Sequence, residues 1–200
     1  ISLRDGRVVG FEALARWNRP GVGQISPVEF IAAAERTGLI GTLGSALLKQ
    51  ACEQIAAWHA QYGCCVPVAV NVSPLQLLDP RFPQLVAHVL QVCGVDAQWL
   101  TLEITESSAV QSMEQTTLQV EQLRAMGVYI AMDDFGTGFS SLNMLRMLRL
   151  HTVKIDRAFV SVAQHSAYHR VLIEATILMA ETLGMSTVAE GIESQDQADL

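Results

Sequence analysis

The chain has 200 residues, half of them hydrophobic, with a formal charge of −7 and only 6% aromatic residues. That is enough apolar material for one core, and the acidic balance weighs against a nonspecific grip on a nucleic acid polymer, which draws on clustered Lys and Arg. No apolar run is long enough to span a bilayer, and the opening "ISLRDGRVVG" lacks the basic and apolar regions of a signal peptide, so a cytoplasmic setting without membrane insertion is expected.

Short β-branched, apolar runs at 8–14, 66–72, 100–105, 128–133, 151–156 and 185–190 read as strands. The amphipathic stretches between them, at 27–37, 43–62, 81–93, 112–126, 140–148 and 165–183, read as helices. Gly38, Gly63, Gly94, Gly127 and Gly184 fall where those helices should stop. Strand then helix, repeated, predicts a largely parallel sheet covered by helices, closed as a β/α barrel or left open as a doubly wound sheet. No low-complexity tract or long linker interrupts it, so residues 1–200 read as one domain. Cys52, Cys64, Cys65 and Cys93 lack paired metal-ligand spacing and are expected to be reduced core thiols.

Side chains alternate along a strand, and here the alternation sorts chemistry. Leu102 and Ile104 face one side, while Thr101, Glu103 and Thr105 face the other. In the same way Val68, Val70 and Val72 oppose Asn71, Ile130 and Met132 oppose Asp133, and Val153 and Ile155 oppose Lys154 and Asp156. Phe11 and Ala13 oppose Glu12, Leu14 and Arg16, and Val188 shares its face with Glu190. Six strands thus carry a polar residue near their C-terminal ends, on the face away from the helix-packing set. In a barrel that face is the interior, and its C-terminal mouth is where active sites are built. A merely solvated sheet face would leave the parallel units without their second layer.

Collected at one mouth, Glu12, Asn71, Glu103, Asp133, Asp134 and Glu190 are five carboxylates and an amide. Two carboxylates about 4 Å apart repel by roughly 4 kcal/mol at an effective dielectric near 20, so the set needs cations. Oxygen-only ligands favour Mg²⁺ or Mn²⁺, and their number argues for two ions, with Asp133 as the bridge and Asp134 turned toward the second. Lys154 supplies a mobile positive charge for a water or phosphate oxygen, and Arg16 a planar fork for phosphate. Together these groups predict hydrolysis of a phosphodiester. A glycosidase acid pair is the competing chemistry, and the scarcity of aromatic sugar platforms counts against it. The glycines of "DDFGTGFSSL" at 133–142 leave the strand in a turn, with Ser140 and Ser141 available to cap the next helix. Glu106 anchors that loop through Thr137 or a backbone amide, or else serves as a helix-starting acid. His165 and His169 have metal-compatible spacing without a third ligand nearby, so a solvated helix face is expected.

At these residues the sequence resembles the EAL domain family, bacterial phosphodiesterases that hydrolyse cyclic di-GMP. The triplet Glu12, Ala13, Leu14 stands in "GFEALARW", followed in order by "VNVS", "LEITES", "DDFGTGFSSL", "KID" and "AEGIE". The resemblance implies a modified, TIM-like β/α barrel and cyclic di-GMP cleaved to linear pGpG. It assigns Glu12, Asn71, Glu103 and Asp133 to one Mg²⁺ or Mn²⁺ ion, and Asp133, Asp134 and Glu190 to a second. It implies catalytic roles for Lys154, Glu190 and Glu12, substrate contacts at Arg16, Leu14 and Asp156, and a loop held by Glu106 and Thr137. Glu193 reads as an acid backing the metal ligands or, by preference, as a helix-starting acid. A homodimer and attached sensory or cyclase domains are compatible with it.

Family members begin with a strand carrying Tyr-Gln-Pro and end with one carrying Gln-Gly-Tyr. Neither motif occurs here, so the first and last barrel strands are expected to lie outside these 200 residues, and a longer chain is expected to be the more stable. Some members of the family bind cyclic di-GMP only as receptors, typically having lost metal ligands or the loop motif. A pure interaction module is the other rival, one that substitutions at Glu12 or Lys154 would signal. Every ligand position the chain covers is filled, which favours the enzyme.

Overall fold

A computed structural model of the chain describes residues 1–63, 65–136 and 142–199. In chain order the elements are β1 (Phe11–Ala13), β2 (Trp17–Arg19), β3 (Gly23–Ile25), α1 (Pro27–Arg36), α2 (Ile40–Tyr62), β4 (Val68–Asn71), α3 (Pro74–Leu77), α4 (Phe82–Cys93) and a 3₁₀ turn at Ala97–Trp99. Then come β5 (Leu100–Thr105), α5 (Glu106–Gln111), α6 (Met113–Ala125), β6 (Tyr129–Phe135), α7 (Leu142–Leu148), β7 (Thr152–Ile155), α8 (Arg157–Ala163), α9 (Ala167–Thr182), β8 (Ser186–Ala189) and α10 (Gln195–Ala198).

Six strands form one sheet in the order β1, β4, β5, β6, β7, β8, and every neighbouring pair is parallel. Parallel pairing follows from the helical crossover between successive strands, and it leaves one strand face to be covered by those helices. The predicted alternation appears as burial: Leu100, Leu102, Ile104, Ile130, Met132 and Val153 are sealed against Cys52 and Ile55 of α2, Val86 of α4, and Val120 and Leu123 of α6. The long helices stop where expected, α2 at Gly63 (φ 66) and α4 at Gly94 (φ 65), each in the left-handed conformation that glycine adopts at little cost. Cys52 and Cys93 are free thiols, and burial pushes Cys52 up to about 12; Cys64 lies outside the described residues.

Several elements differ from the sequence expectation. The first strand is confined to Phe11–Ala13, and residues 17–25 form an antiparallel β2–β3 hairpin that packs by the edge of Trp17 on Phe30 of α1. Three-residue strands are too short to show a period, which is why the hairpin was not foreseen. The stretch expected as one helix at 165–183 starts at Ala167, capped by Ser166, and α8 precedes it, started by the Asp156 carboxylate accepting from the Ala158 amide at 2.8 Å. Residues 137–141, with Thr137 and the expected Ser140 and Ser141 cap, lie outside the described residues; α7 is described over Leu142–Leu148.

Candidate metal and phosphate site

A flat six-stranded sheet would hold its edge strands about 24 Å apart at 4.8 Å per spacing. Yet Glu12 of β1 and Glu190, just past β8, both approach the Lys154 ammonium, at 3.8 and 2.7 Å. The sheet is therefore curved into a half-barrel, and the C-terminal ends of its strands converge. Glu103 of β5 and Asp133 of β6 complete the ring around the same Nζ at 3.0 and 3.1 Å. Asn71 of β4, in register with Glu103, donates from Nδ2 to Glu12 Oε1 at 2.7 Å. Glu12, Asn71, Glu103, Asp133, Lys154 and Glu190 are thus brought together as the alternation predicted.

Asp134 joins them by a different device. Strict alternation would send it to the opposite face from Asp133. Between Met132 and Phe135 the pairing of β6 with β7 shifts by one residue, a β-bulge, and Asp134 takes φ 55 there. Its amide donates back to Asp133 Oδ1 at 3.0 Å. The bulge re-aims the side chain, so that Asp133, Asp134 and Glu190 offer carboxylate oxygens within 4.8 Å of one another, a group able to hold a metal ion. Asp tolerates the left-handed region better than most residues, which is the one local signal for this bend.

The electrostatics reflect crowding. Burial pushes Glu103 up to about 7 against the pull of Lys154, with Glu12 and Asp133 adding to the rise. Burial also raises Asp134, helped by the charges of Asp133 and Asp156, and raises Glu190 despite its hydrogen bond to Lys154. Burial alone would lower Lys154, but the Glu190 hydrogen bond and the charges of Glu103 and Asp133 hold it above the ordinary lysine value. One ammonium shared among four acids leaves them under-compensated, which is the condition that favours binding further cations.

Around this centre, the buried Glu106 accepts from the Gly136 amide at 3.2 Å, so it meets the segment after β6 through the backbone, one of the two routes expected of it. Asp156 neighbours Asp134 while capping α8. Leu14 and Arg16 follow β1 on the exposed surface, and the Arg16 guanidinium donates to Ala15 O at 2.9 Å. Glu193 is not a helix starter: it pairs with Arg157 at 2.7 Å, and α10 begins two residues later, capped by Ser194. His169 bonds Ser166 Oγ through Nδ1 at 2.7 Å. Sequence reasoning missed Glu35, whose carboxylate accepts from Ser73 Oγ at 2.6 Å and ties α1 to the turn after Asn71. The 38-residue separation hides that pair, although the Ser73 and Gln76 capping box beside it was readable.

The comparisons with known proteins agree with this geometry. The family model described as "EAL domain" matches residues 1–200, and the chain belongs to the EAL domain family. It is 38% identical over 199 residues to the bifunctional diguanylate cyclase/cyclic di-GMP phosphodiesterase MucR of Pseudomonas aeruginosa, covering 98% of this chain and 28% of that protein. It is also 38% identical over 197 residues to the cyclic di-GMP phosphodiesterase NbdA of the same organism, covering 98% of this chain and 25% of that one. A solved structure of the PaMucR phosphodiesterase in complex with c-di-GMP superposes with a TM-score of 0.90 at 38% identity, covering 96% of this chain and 77% of that one. The fold is accordingly the modified TIM-like barrel of the family. The chain spans about a quarter of the length of the curated relatives it matches. Among the described residues no helix is long and apolar enough to cross a membrane.

Proposed function

We propose that this chain carries the catalytic site of a phosphodiesterase that hydrolyses cyclic di-GMP to linear pGpG. One observation carries the reading: four carboxylates from separate segments meet on the single buried ammonium of Lys154, with Asp134 beside them. The likeness to MucR and NbdA supports the same substrate.

The donor set fits hard divalent cations, being all oxygen and including the three carboxylates within 4.8 Å of one another. Glu12, Asn71, Glu103 and Asp133 would hold one Mg²⁺ or Mn²⁺, and Asp133, Asp134 and Glu190 a second. Bound there, such ions supply a polarised water and positive charge against the phosphate. Attack of water on phosphorus forms one P–O bond and breaks the bond to the leaving ribose oxygen, which takes up a proton. Lys154 orients the water or a non-bridging phosphate oxygen, and Glu12 and Glu190 act with it as the catalytic group. Arg16 clamps a phosphate, Leu14 packs against the nucleotide and Asp156 lies near a guanine. Glu106 steadies the loop after Asp134 through the Gly136 amide, with Thr137 as its second anchor. The length of the relatives supports cyclase or sensory domains as attached partners.

The test is incubation with cyclic di-GMP and Mg²⁺, with Ca²⁺ as control, followed by separation of products. Linear pGpG is expected, and Glu12→Ala should reduce turnover by orders of magnitude. Tight nucleotide binding with no product from the parental protein would overturn catalysis in favour of a receptor.

A further inference from the structure

Lys154 is held more tightly than a substrate-binding lysine requires. Three carboxylates crowd its Nζ: Glu190 Oε1 at 2.7 Å, Glu103 Oε2, to which it donates, at 3.0 Å, and Asp133 Oδ1 at 3.1 Å. The side chain is 7% exposed. While the acids surround it in this way, its charge is committed to carboxylates and not to a phosphate oxygen. All three acids are also residues that would ligate a divalent ion. An ion on Asp133 or Glu190 would compete with the ammonium for the same carboxylates, and the two positive charges would repel.

We propose that Lys154 is the resident counter-ion of the acidic cluster and that divalent cations displace it, freeing its ammonium for the phosphate. The second half rests on the phosphodiesterase reading; the displacement itself rests on the geometry. Lys154 then has two successive roles. It first neutralises the acids that would otherwise repel one another, and it meets substrate only after the metals have taken over that task. This orders assembly, with metal loading ahead of phosphate engagement, and sets lysine release against metal affinity.

The sequence makes the step observable, because Lys49 and Lys154 are its only lysines. Lys49 is exposed on α2 and paired with Glu53 at 3.5 Å, well outside the cluster, so it serves as an internal reference. Chelator-treated protein labelled with ¹⁵N at the lysine side chains should show a slowly exchanging Lys154 ammonium resonance. On titration with Mg²⁺, without nucleotide, that resonance should shift and exchange at least tenfold faster while Lys49 stays fixed. By calorimetry, Lys154→Met should bind Mg²⁺ at least tenfold more tightly than the parental protein. A Lys154 signal unmoved at Mg²⁺ saturation overturns the proposal, as does equal Mg²⁺ affinity of the two proteins or no binding by either. Because none of these readouts contains nucleotide, displacement without hydrolysis would sink the catalytic reading alone.

Discussion

The carboxylate of Glu103 lies 3.0 Å from the ammonium of Lys154, 51 residues along the chain, and the two side chains are 4% and 7% exposed. Burial nevertheless pushes Glu103 from an ordinary 4.5 up to about 7. A raised carboxylate means that the folded chain takes up this proton at a higher pH than the unfolded chain does. The Glu103 contribution to stability therefore increases as pH falls from about 7 to about 4.5 and is lost as pH rises through 7. Glu103→Gln should remove that slope and unfold no more easily than the parental chain at pH 8, since three other acids still satisfy Lys154. Denaturant midpoints measured from pH 4.5 to 8 check this, and an unchanged slope in the variant would contradict it.

Asp134 sits at the bulge with φ 55, its pKa raised first by burial and then by Asp133 and Asp156. Its backbone and its charge both count against the fold, so it is retained at the expense of stability. Asp134→Gly relieves both and should unfold at or above the parental temperature, while the stabilisation by Mg²⁺ largely disappears. Asp134→Val also removes the charge but cannot take the left-handed backbone comfortably, and should be less stable than the Gly variant by about 1–2 kcal/mol. Thermal unfolding with and without Mg²⁺ measures both effects. Equal stability of the Val and Gly variants would sink the account of the bulge.

The legible part of this site was the part written in the two-residue period. Leu102, Glu103 and Ile104 sort themselves between core and barrel interior by alternation alone, and repeating that over six strands placed Glu12, Asn71, Asp133 and Lys154 at one mouth. What alternation could not express is a break in itself. The register shift between Met132 and Phe135 puts Asp134 with Asp133 rather than opposite it, and only the tolerance of Asp for positive φ hinted at this. Contacts between distant segments were equally hidden: Ser73 with Glu35, and Arg157 with Glu193, depend on how helices and loops settle over the sheet. The seven-residue α8 was missed because the Asp156 that starts it also ends a strand-like run.

Gly191, directly after Glu190, lies beneath the Arg157 side chain with φ 69. A Cβ placed there would overlap Arg157 Cγ and stand 2.9 Å from its Cβ, which no side-chain rotation can move aside. Gly191→Ala should cost about 2 kcal/mol from the left-handed backbone and the overlap together. Combining it with Arg157→Ala, which removes Cγ and Cδ but keeps Cβ, should recover the part due to overlap with the outer side chain but not the part due to φ. Denaturant midpoints at constant m separate the two; full recovery in the double variant would show that the backbone contributes nothing.

His151 makes a pH prediction of opposite sign to that of Glu103. Its Nδ1 accepts from the Ile130 amide at 3.0 Å, at the start of the β6 to β7 pairing, while its ring stacks on Tyr129 at 4.6 Å. Burial lowers its pKa below the ordinary 6.5, and the nearby Arg124 charge lowers it further. Protonating Nδ1 would also remove the lone pair that the Ile130 amide uses. For a histidine held low, the unfolded chain binds the proton first, so the neutral ring's contribution is complete above pH 6.5 and declines as pH falls through the lowered folded value. His151→Leu should lose about 1 kcal/mol at pH 8, where the amide loses its partner, and progressively less relative to the parental chain as the solution is acidified below 6.5. Midpoints for the pair across this range give the difference directly. A gap that stays constant or widens toward acid would mean that His151 is not held neutral by the fold.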